Sequence, residues 1–191
     1  MTHKGTITIE TERLILRRFN KNDAPAMFNN WAGDSEVTKF LQWKPHESVE
    51  ESETILAEWI PQYENNDYYV RAIVPKELGE PIGSITVVDM DERAEKVHNG
   101  YCIGKNRWHQ GIVSEAFAGT IPFLFNEVNV NRIESRHDPR NPNSGKVMLK
   151  CGLKYEGTLR QSDFSNMGIV DASMYALLKS EYYENEGNKR A

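Results

Sequence analysis

Cysteine is scarce: the 191 residues contain two, Cys102 and Cys151. A disulfide framework needs a denser set, so both read as reduced, buried thiols. With the polar start Met1-Thr2-His3-Lys4-Gly5, this makes the cytoplasm the expected location. Long apolar runs are missing too. No stretch approaches the roughly 20 residues that span a bilayer, so no membrane partner is expected. Basic residues do not dominate: 23 Lys and Arg stand against 28 Asp and Glu, giving a net charge of −5. Without a uniformly basic surface to displace counterions, direct nucleic-acid binding is not expected. His98, His109 and His137 fall in different segments with no paired spacing, so no metal site is expected. The Gly-x-Ser-x-Gly elbow of a serine hydrolase is absent.

What is present is an ordinary globular mixture, 39% hydrophobic and 27% charged. The length suits one domain with a substantial core, expected over residues 1–180, with a polar tail at 181–191 that frays. Ile7 to Phe19 reads as a first strand, Asp23 to Trp31 as a helix capped near Asn22, and Ser48 to Tyr63 as a longer helix. Residues 67–74 and 81–88 read as a hairpin, and 96–103 as a further strand. A helix is expected from Gly111 to about Val128, with Pro122 as a local defect. A strand at 132–136, a short helix and two final strands at 153–161 and 169–178 follow. Meander strands followed by alternation with helices indicate an α/β domain with a mixed sheet.

Two segments carry chemistry. In Arg107-Trp108-His109-Gln110-Gly111-Ile112-Val113-Ser114-Glu115-Ala116 the apolar period changes from that of a strand to that of a helix at Gly111. A helix starting there presents unpaired backbone N–H groups and a positive dipole end, and the glycine lets an anion come close. Many strand-to-helix turns carry one glycine for steric reasons alone. The second segment runs from Asn141 to Gly157. It opens with cap-type residues, places Val147, Met148 and Cys151 on one face, and stops at Gly152.

Together these segments resemble the GNAT superfamily of acetyl-CoA-dependent N-acetyltransferases. Its diphosphate loop commonly reads Gln/Arg-x-x-Gly-x-Gly/Ala, and its later helix often opens with Asn-x-x-Ser. Thr11-Glu12-Arg13-Leu14-Ile15-Leu16-Arg17 and Asn22-Asp23-Ala24 point further, to the branch that acetylates ribosomal-protein N-termini. The likeness runs from about Glu10 to Leu178. Trp108 replaces the loop's Gln/Arg, Val113 replaces its second small residue and adds bulk there, and Leu153 replaces a phenylalanine.

The resemblance implies a GNAT fold: a mixed, mostly antiparallel sheet of about seven strands with flanking helices, and a splayed central strand pair open to a pantetheine chain. It implies acetyl-CoA as cosubstrate, with the N–H groups of His109, Gln110, Gly111, Val113 and Ser114 on the diphosphate. Ile103 would meet pantetheine through its backbone. Asn141 would hydrogen-bond the arm, its plain alternative being a helix cap. Lys146 lies near where a basic residue meets the CoA phosphates. Ser144 would donate to the departing thiolate, and Asp163 would serve as a base, through water or by attracting the ammonium. The plain alternatives are a capping serine and a solvated loop aspartate. Glu115, in the first turn of the diphosphate helix, is assigned structure. Trp31, Trp43, Tyr68 and Tyr69 would shape the acceptor groove or simply fill the core.

The expected function is direct acetyl transfer to an amine, foremost a ribosomal-protein N-terminus. A small-molecule amine acetylase and a CoA-binding module without turnover stay open, as does a homodimer.

Overall fold

In the computed structural model the two faces of a central sheet are covered by different helices, a division set by the period-two alternation of side chains along the strands. The structure describes residues 1–190, apart from the side chains at 186 and 188–190. Eight strands are present: β1 (Ile9–Glu10), β2 (Leu14–Arg17), β3 (Val70–Pro75), β4 (Gly83–Asp91), β5 (Lys96–Ile103), β6 (Arg132–His137), β7 (Lys154–Ser165) and β8 (Gly168–Leu178). They lie in the order β1-β2-β3-β4-β5-β6-β8-β7. All neighbours are antiparallel except the parallel pair β5–β6.

The helices are α1 (Ala24–Met27, continued by a π turn over Phe28–Ala32), α2 (Ser35–Thr38), α3 (Val49–Gln62), α4 (Ile112–Pro122, continued as a π turn over Phe123–Val128), α5 (Pro142–Lys150) and α6 (Lys179–Arg190). β3 is buried along its whole length. Val70, Ala72 and Val74 pack with Met27, Trp31 and Leu56 on the α1 and α3 side, whereas Ile73 packs with Phe117 and Leu124 on the α4 and α5 side. Both faces of this strand are covered, so it is apolar throughout except for the buried Arg71.

The expected α/β architecture is present, including the local defect at Pro122, with differences in the first strand, the first helix cap and the C-terminal stretch. The single first strand divides into β1 and β2, giving eight strands rather than about seven. Thr11 N–H closes onto Leu14 O at 3.0 Å, and the Glu115 carboxylate takes Thr11 Oγ1 at 2.6 Å and Arg13 N–H at 2.8 Å, which bends the chain there. The first helical segment is capped at Asn20, not Asn22. The Asn20 side chain accepts Asn22 N–H and Asp23 accepts Asn20 N–H, a reciprocal capping box. In the long helix, Pro122 cannot continue the amide ladder and the following turn widens. At the end of the chain α6 covers the stretch expected to fray as far as Arg190, while Ala191 lies outside the described residues. No helix among the described residues is long and apolar enough to cross a membrane.

β5 and β6 pair over three positions only, Lys96 with Arg132, Val97 with Ile133 and His98 with Glu134. Beyond His98 the ladder stops although both strands continue. This is the splay the family likeness implied, and it opens a gap that leads from the middle of the sheet to the start of α4.

Candidate active site

After β5 the chain turns through Lys105–Arg107 and reaches α4 by way of His109 and Gly111, both left-handed, with φ of 62° and 74°. That conformation is costless for glycine and strained for His109. The first intrahelical bond runs from Glu115 N–H to Gly111 O, at 3.0 Å. The preceding amides, those of Ile112, Val113 and Ser114, have no partner within the helix and point forward with the positive end of the dipole. Val113 leaves this mouth open because its side chain turns into the core. Ser114 is buried as well, and its carbonyl accepts the Cys151 thiol at 3.3 Å.

The mouth opens into a cleft of about 330 Å³ lined by Arg13, Gln110, Gly111, Ser114, Glu115 and Lys150, with Ala118 behind. Two cations converge on it. A Cβ placed on Gly111 would lie 3.6 Å from Lys150 Nζ and 3.8 Å from Arg13 Nη2. Arg13 is shared with Glu115 through a 2.5 Å ion pair, and also donates to Gln110 O at 3.1 Å. Burial alone would raise the Glu115 pKa, but its bonds from Thr11 and Arg13 hold it below the usual carboxylate range. Glu115 therefore ties β2 to α4, the structural part assigned to it.

Lys146 points elsewhere, its Nζ 3.3 Å from Asn143 Oδ1, so Lys150 is the basic residue that α5 brings to the cleft. Nothing local in the sequence marks Lys150, since its neighbour Gly111 is remote in the chain. Of the other loop residues, Gln110 folds its side chain onto Asn106 O at 2.9 Å, and His109 is exposed. The Ile103 carbonyl already accepts the Trp108 indole N–H at 3.1 Å.

Along the gap, α5 lies over the α4-facing side of β5 and β6. Asn141 stands at its start without the side-chain cap bond that its plain alternative required; its backbone N–H donates to Asp138 O at 2.7 Å, while its side-chain carboxamide has no hydrogen-bond partner among the described residues. Ser144 follows one turn later, half-buried. Tyr101, on the stretch of β5 that has lost β6, reaches across to it, with its hydroxyl 2.9 Å from Ser144 O and 3.0 Å from Ser144 Oγ. The Tyr101 ring leans on Phe117 of α4, so one side chain spans both helices and the strand between them. Sequence reasoning passed over Tyr101, although it shares the face of Val97 and Ile103.

The opposite face of the same strands carries a different group. Asp163 of β7 accepts Arg136 Nε at 2.6 Å, the Gln42 amide at 2.7 Å and Phe164 N–H at 2.9 Å. Burial raises its pKa, but Arg136 and these bonds outweigh that and leave it below the ordinary carboxylate value. Arg136 Nη1 also lies 3.4 Å from Nε2 of His98. Burial, then the Arg136 charge, lowers the His98 pKa to about 4, so the ring is neutral near pH 7. Asn166 bonds Thr38 O and Trp43 O, so the β7–β8 turn is fastened to the segment after α2 and borders this face. Of the aromatics offered for the groove, Trp31 and Tyr69 are core side chains, Tyr68 packs on Tyr63 beside the core, and Trp43 is partly exposed.

A family model described as "Acetyltransferase (GNAT) domain" matches residues 13–154. Uncharacterized N-acetyltransferase p20 of Bacillus licheniformis is 32% identical over 176 residues, covering 92% of this chain and 98% of that protein. Ribosomal-protein-serine acetyltransferase of Escherichia coli (strain K12) is 29% identical over 97 residues, 51% of this chain and 54% of its own. Among solved structures, an acetyltransferase (GNAT family) from Bacillus anthracis superposes with a TM-score of 0.79 at 23% identity, covering 92% of this chain and 100% of that one. The ribosomal α-N-protein acetyltransferase RimL, in complex with coenzyme A, gives 0.80 at 19% identity over 92% and 99%. At those identities the two structures speak for the fold.

Proposed function

The chain belongs to the GNAT family of acetyl-CoA-dependent N-acetyltransferases, and from that premise we propose that it transfers acetyl directly to a protein N-terminal α-amino group of the ribosomal-protein kind. The α4 mouth suits the CoA diphosphate, with donor amides at Gly111, Ile112, Val113 and Ser114 and the cations Lys150 and Arg13 beside them. The pantetheine arm then follows the β5–β6 gap past Asn141, which brings the thioester to Ser144.

The amine lone pair attacks the thioester carbonyl carbon, the new carbon–nitrogen bond forms as the carbon–sulfur bond breaks, the nitrogen gives up one proton to solvent water, and the departing thiolate needs a proton or a hydrogen-bond donor. Ser144 is in place for this, with its hydroxyl oriented by Tyr101.

The observation that carries the choice of acceptor is the Asp163–Arg136 pair. With its lone pairs engaged and its pKa lowered, Asp163 is a poor base, and His98 at about 4 is no better. A site with weak bases depends on amine that is already neutral. An α-amino group of pKa about 8 is roughly a tenth neutral at pH 7, whereas a lysine at about 10.4 is neutral some 250-fold less often. That difference supports an N-terminus over a lysine side chain. Asp163 then acts on the acceptor face by fixing Arg136 and Gln42 rather than by taking a proton itself.

The test is release of free CoA thiol with three sets of acceptors: peptides with free N-termini, N-blocked peptides containing lysine, and polyamines. Turnover confined to the first set supports the reading. Preference for polyamines moves the enzyme to the small-molecule class, and tight acetyl-CoA binding without transfer to any amine leaves a binding module.

A further inference from the structure

Three buried side-chain atoms lack a hydrogen-bond partner among the described residues: Arg71 Nη2, Asn99 Oδ1 and His137 Nε2. Arg71 lies on β3 against Phe123, away from the gap. The other two flank the gap, one on each strand. Leaving a buried acceptor unpaired is costly, and native structures hold few such atoms, so each one calls for a reason.

Asn99 has the sharper geometry. It is the first β5 residue past the last β5–β6 ladder pair, and it is only 2% exposed. Across the gap, Ser135 Oγ donates to the Asn99 carbonyl at 2.8 Å and seals the apex, so the backbone of Asn99 is satisfied while its carboxamide is not. Successive strand residues face opposite sides. His98 therefore looks toward Arg136 and Asp163, while Asn99 looks with Tyr101 toward α5 and Ser144. An amine arriving on the Asp163 face meets the other side of the strand. The chain that lies on the Asn99 side is the one running from the α4 mouth to Ser144.

His137 defines the same side. Its Nδ1 lies 2.7 Å from Asp138 O, an acceptor, so Nδ1 carries a proton, and in the neutral ring Nε2 is then the acceptor. A Cβ on Gly145 of α5 would lie 2.6 Å from that Nε2. The α5 side of the gap thus carries acceptors that need N–H donors. Along its arm acetyl-CoA supplies donors at the two pantetheine amides and at the pantoyl hydroxyl, the thioester having none; the hydroxyl lies toward the diphosphate end, so the amides are the donors that reach the apex of the gap.

We propose that Asn99 is a cofactor-binding residue whose side-chain oxygen accepts an amide N–H of the pantetheine arm at the apex of the β5–β6 gap. This rests on the acetyl-CoA reading above. The residue holds an unpaired acceptor in the free protein so that the bound arm completes it.

The experiment is calorimetric titration of the full chain, wild type and Asn99→Leu, with CoA and with acetyl-CoA, alongside the melting temperature of each protein without nucleotide. Asn99→Ala serves as a second variant should leucine not fit. Losing one buried hydrogen bond predicts affinity about tenfold lower for both nucleotides alike. The Asn99→Leu protein should melt no lower than wild type, because an unpaired polar group has been removed from the interior.

Unchanged affinity for both nucleotides overturns the proposal, as does a lowered melting temperature with intact affinity, which would mean that the carboxamide serves the fold. A loss confined to acetyl-CoA also overturns it, because the contact would then be to the acyl group. A wild-type protein that binds neither nucleotide has a distinct signature and overturns the cofactor reading itself.

Discussion

Lys150 and Lys146 lie one turn apart on α5, and the structure gives them different relations to the α4 mouth. Lys150 Nζ comes within 3.6 Å of the Cβ position on Gly111 and makes no ion pair among the described residues, whereas Lys146 reaches Asn143. A diphosphate on the Gly111 amides would put an oxygen roughly 4 Å from Lys150. Two unit charges at that distance in a water-like dielectric are worth about 1 kcal/mol. That figure is the relevant one because the lysine is exposed. It converts to about fivefold in Kd. Lys150→Ala should therefore weaken acetyl-CoA binding about fivefold at low salt, with a smaller difference at high salt because the contact is screened. Lys146→Ala removes the same formal charge from the same helix and should change Kd less than twofold, by the same Coulomb estimate at longer range. Isothermal titration at two salt concentrations checks both. Equal effects of the two substitutions, or a larger one at Lys146, would refute the placement of the diphosphate at Gly111.

Tyr101→Phe should lower kcat while leaving the KM for acetyl-CoA near the wild-type value, since the lost hydroxyl touches Ser144; steady-state kinetics decide it. Ser144→Ala should likewise lower turnover more than cofactor affinity, and unchanged turnover would remove Ser144 from the chemistry. Glu115→Ala breaks the bonds from Thr11, Arg13 N–H and the Arg13 guanidinium and should cost about 2 kcal/mol of stability, read from denaturant unfolding.

For His98 the folded pKa, about 4, lies below the ordinary 6.5. Between those values the unfolded chain holds more protons, so stability falls as pH drops from about 6.5 toward 4. His98→Asn should flatten melting temperature against pH in that window, and an unchanged slope would contradict the burial of a neutral ring.

Much of this architecture was legible because its signals are local. The strand at 96–103 and the start of the short helix at Pro142 follow from apolar period and turn residues, and the Gly111 junction follows from a change of period. The split of the first strand was not legible. It depends on Glu115, a residue about a hundred positions away. The same holds for Lys150 at Gly111 and for Arg136 on Asp163, where remote elements supply the partner. Family likeness marks Asp163 as a base, and only its neighbours in space reveal how firmly its charge is held. Asn99 carries no sequence signal, since a lone asparagine in a β-branched stretch looks like a solvent-facing residue until its burial is known.

The central claim is that backbone amides at the start of α4 hold the CoA diphosphate and thereby deliver the thioester to Ser144. Its most direct test compares acetyl-CoA with acetyl-pantetheine, which keeps the arm and thioester but lacks the diphosphate and the phosphoadenosine attached to it, by calorimetry on the full chain. The account predicts measurable binding of acetyl-CoA and binding of acetyl-pantetheine at least a hundredfold weaker, about 2.7 kcal/mol for the diphosphate and phosphoadenosine contacts together. Equal affinity for the two, or no binding of acetyl-CoA at all, would contradict it.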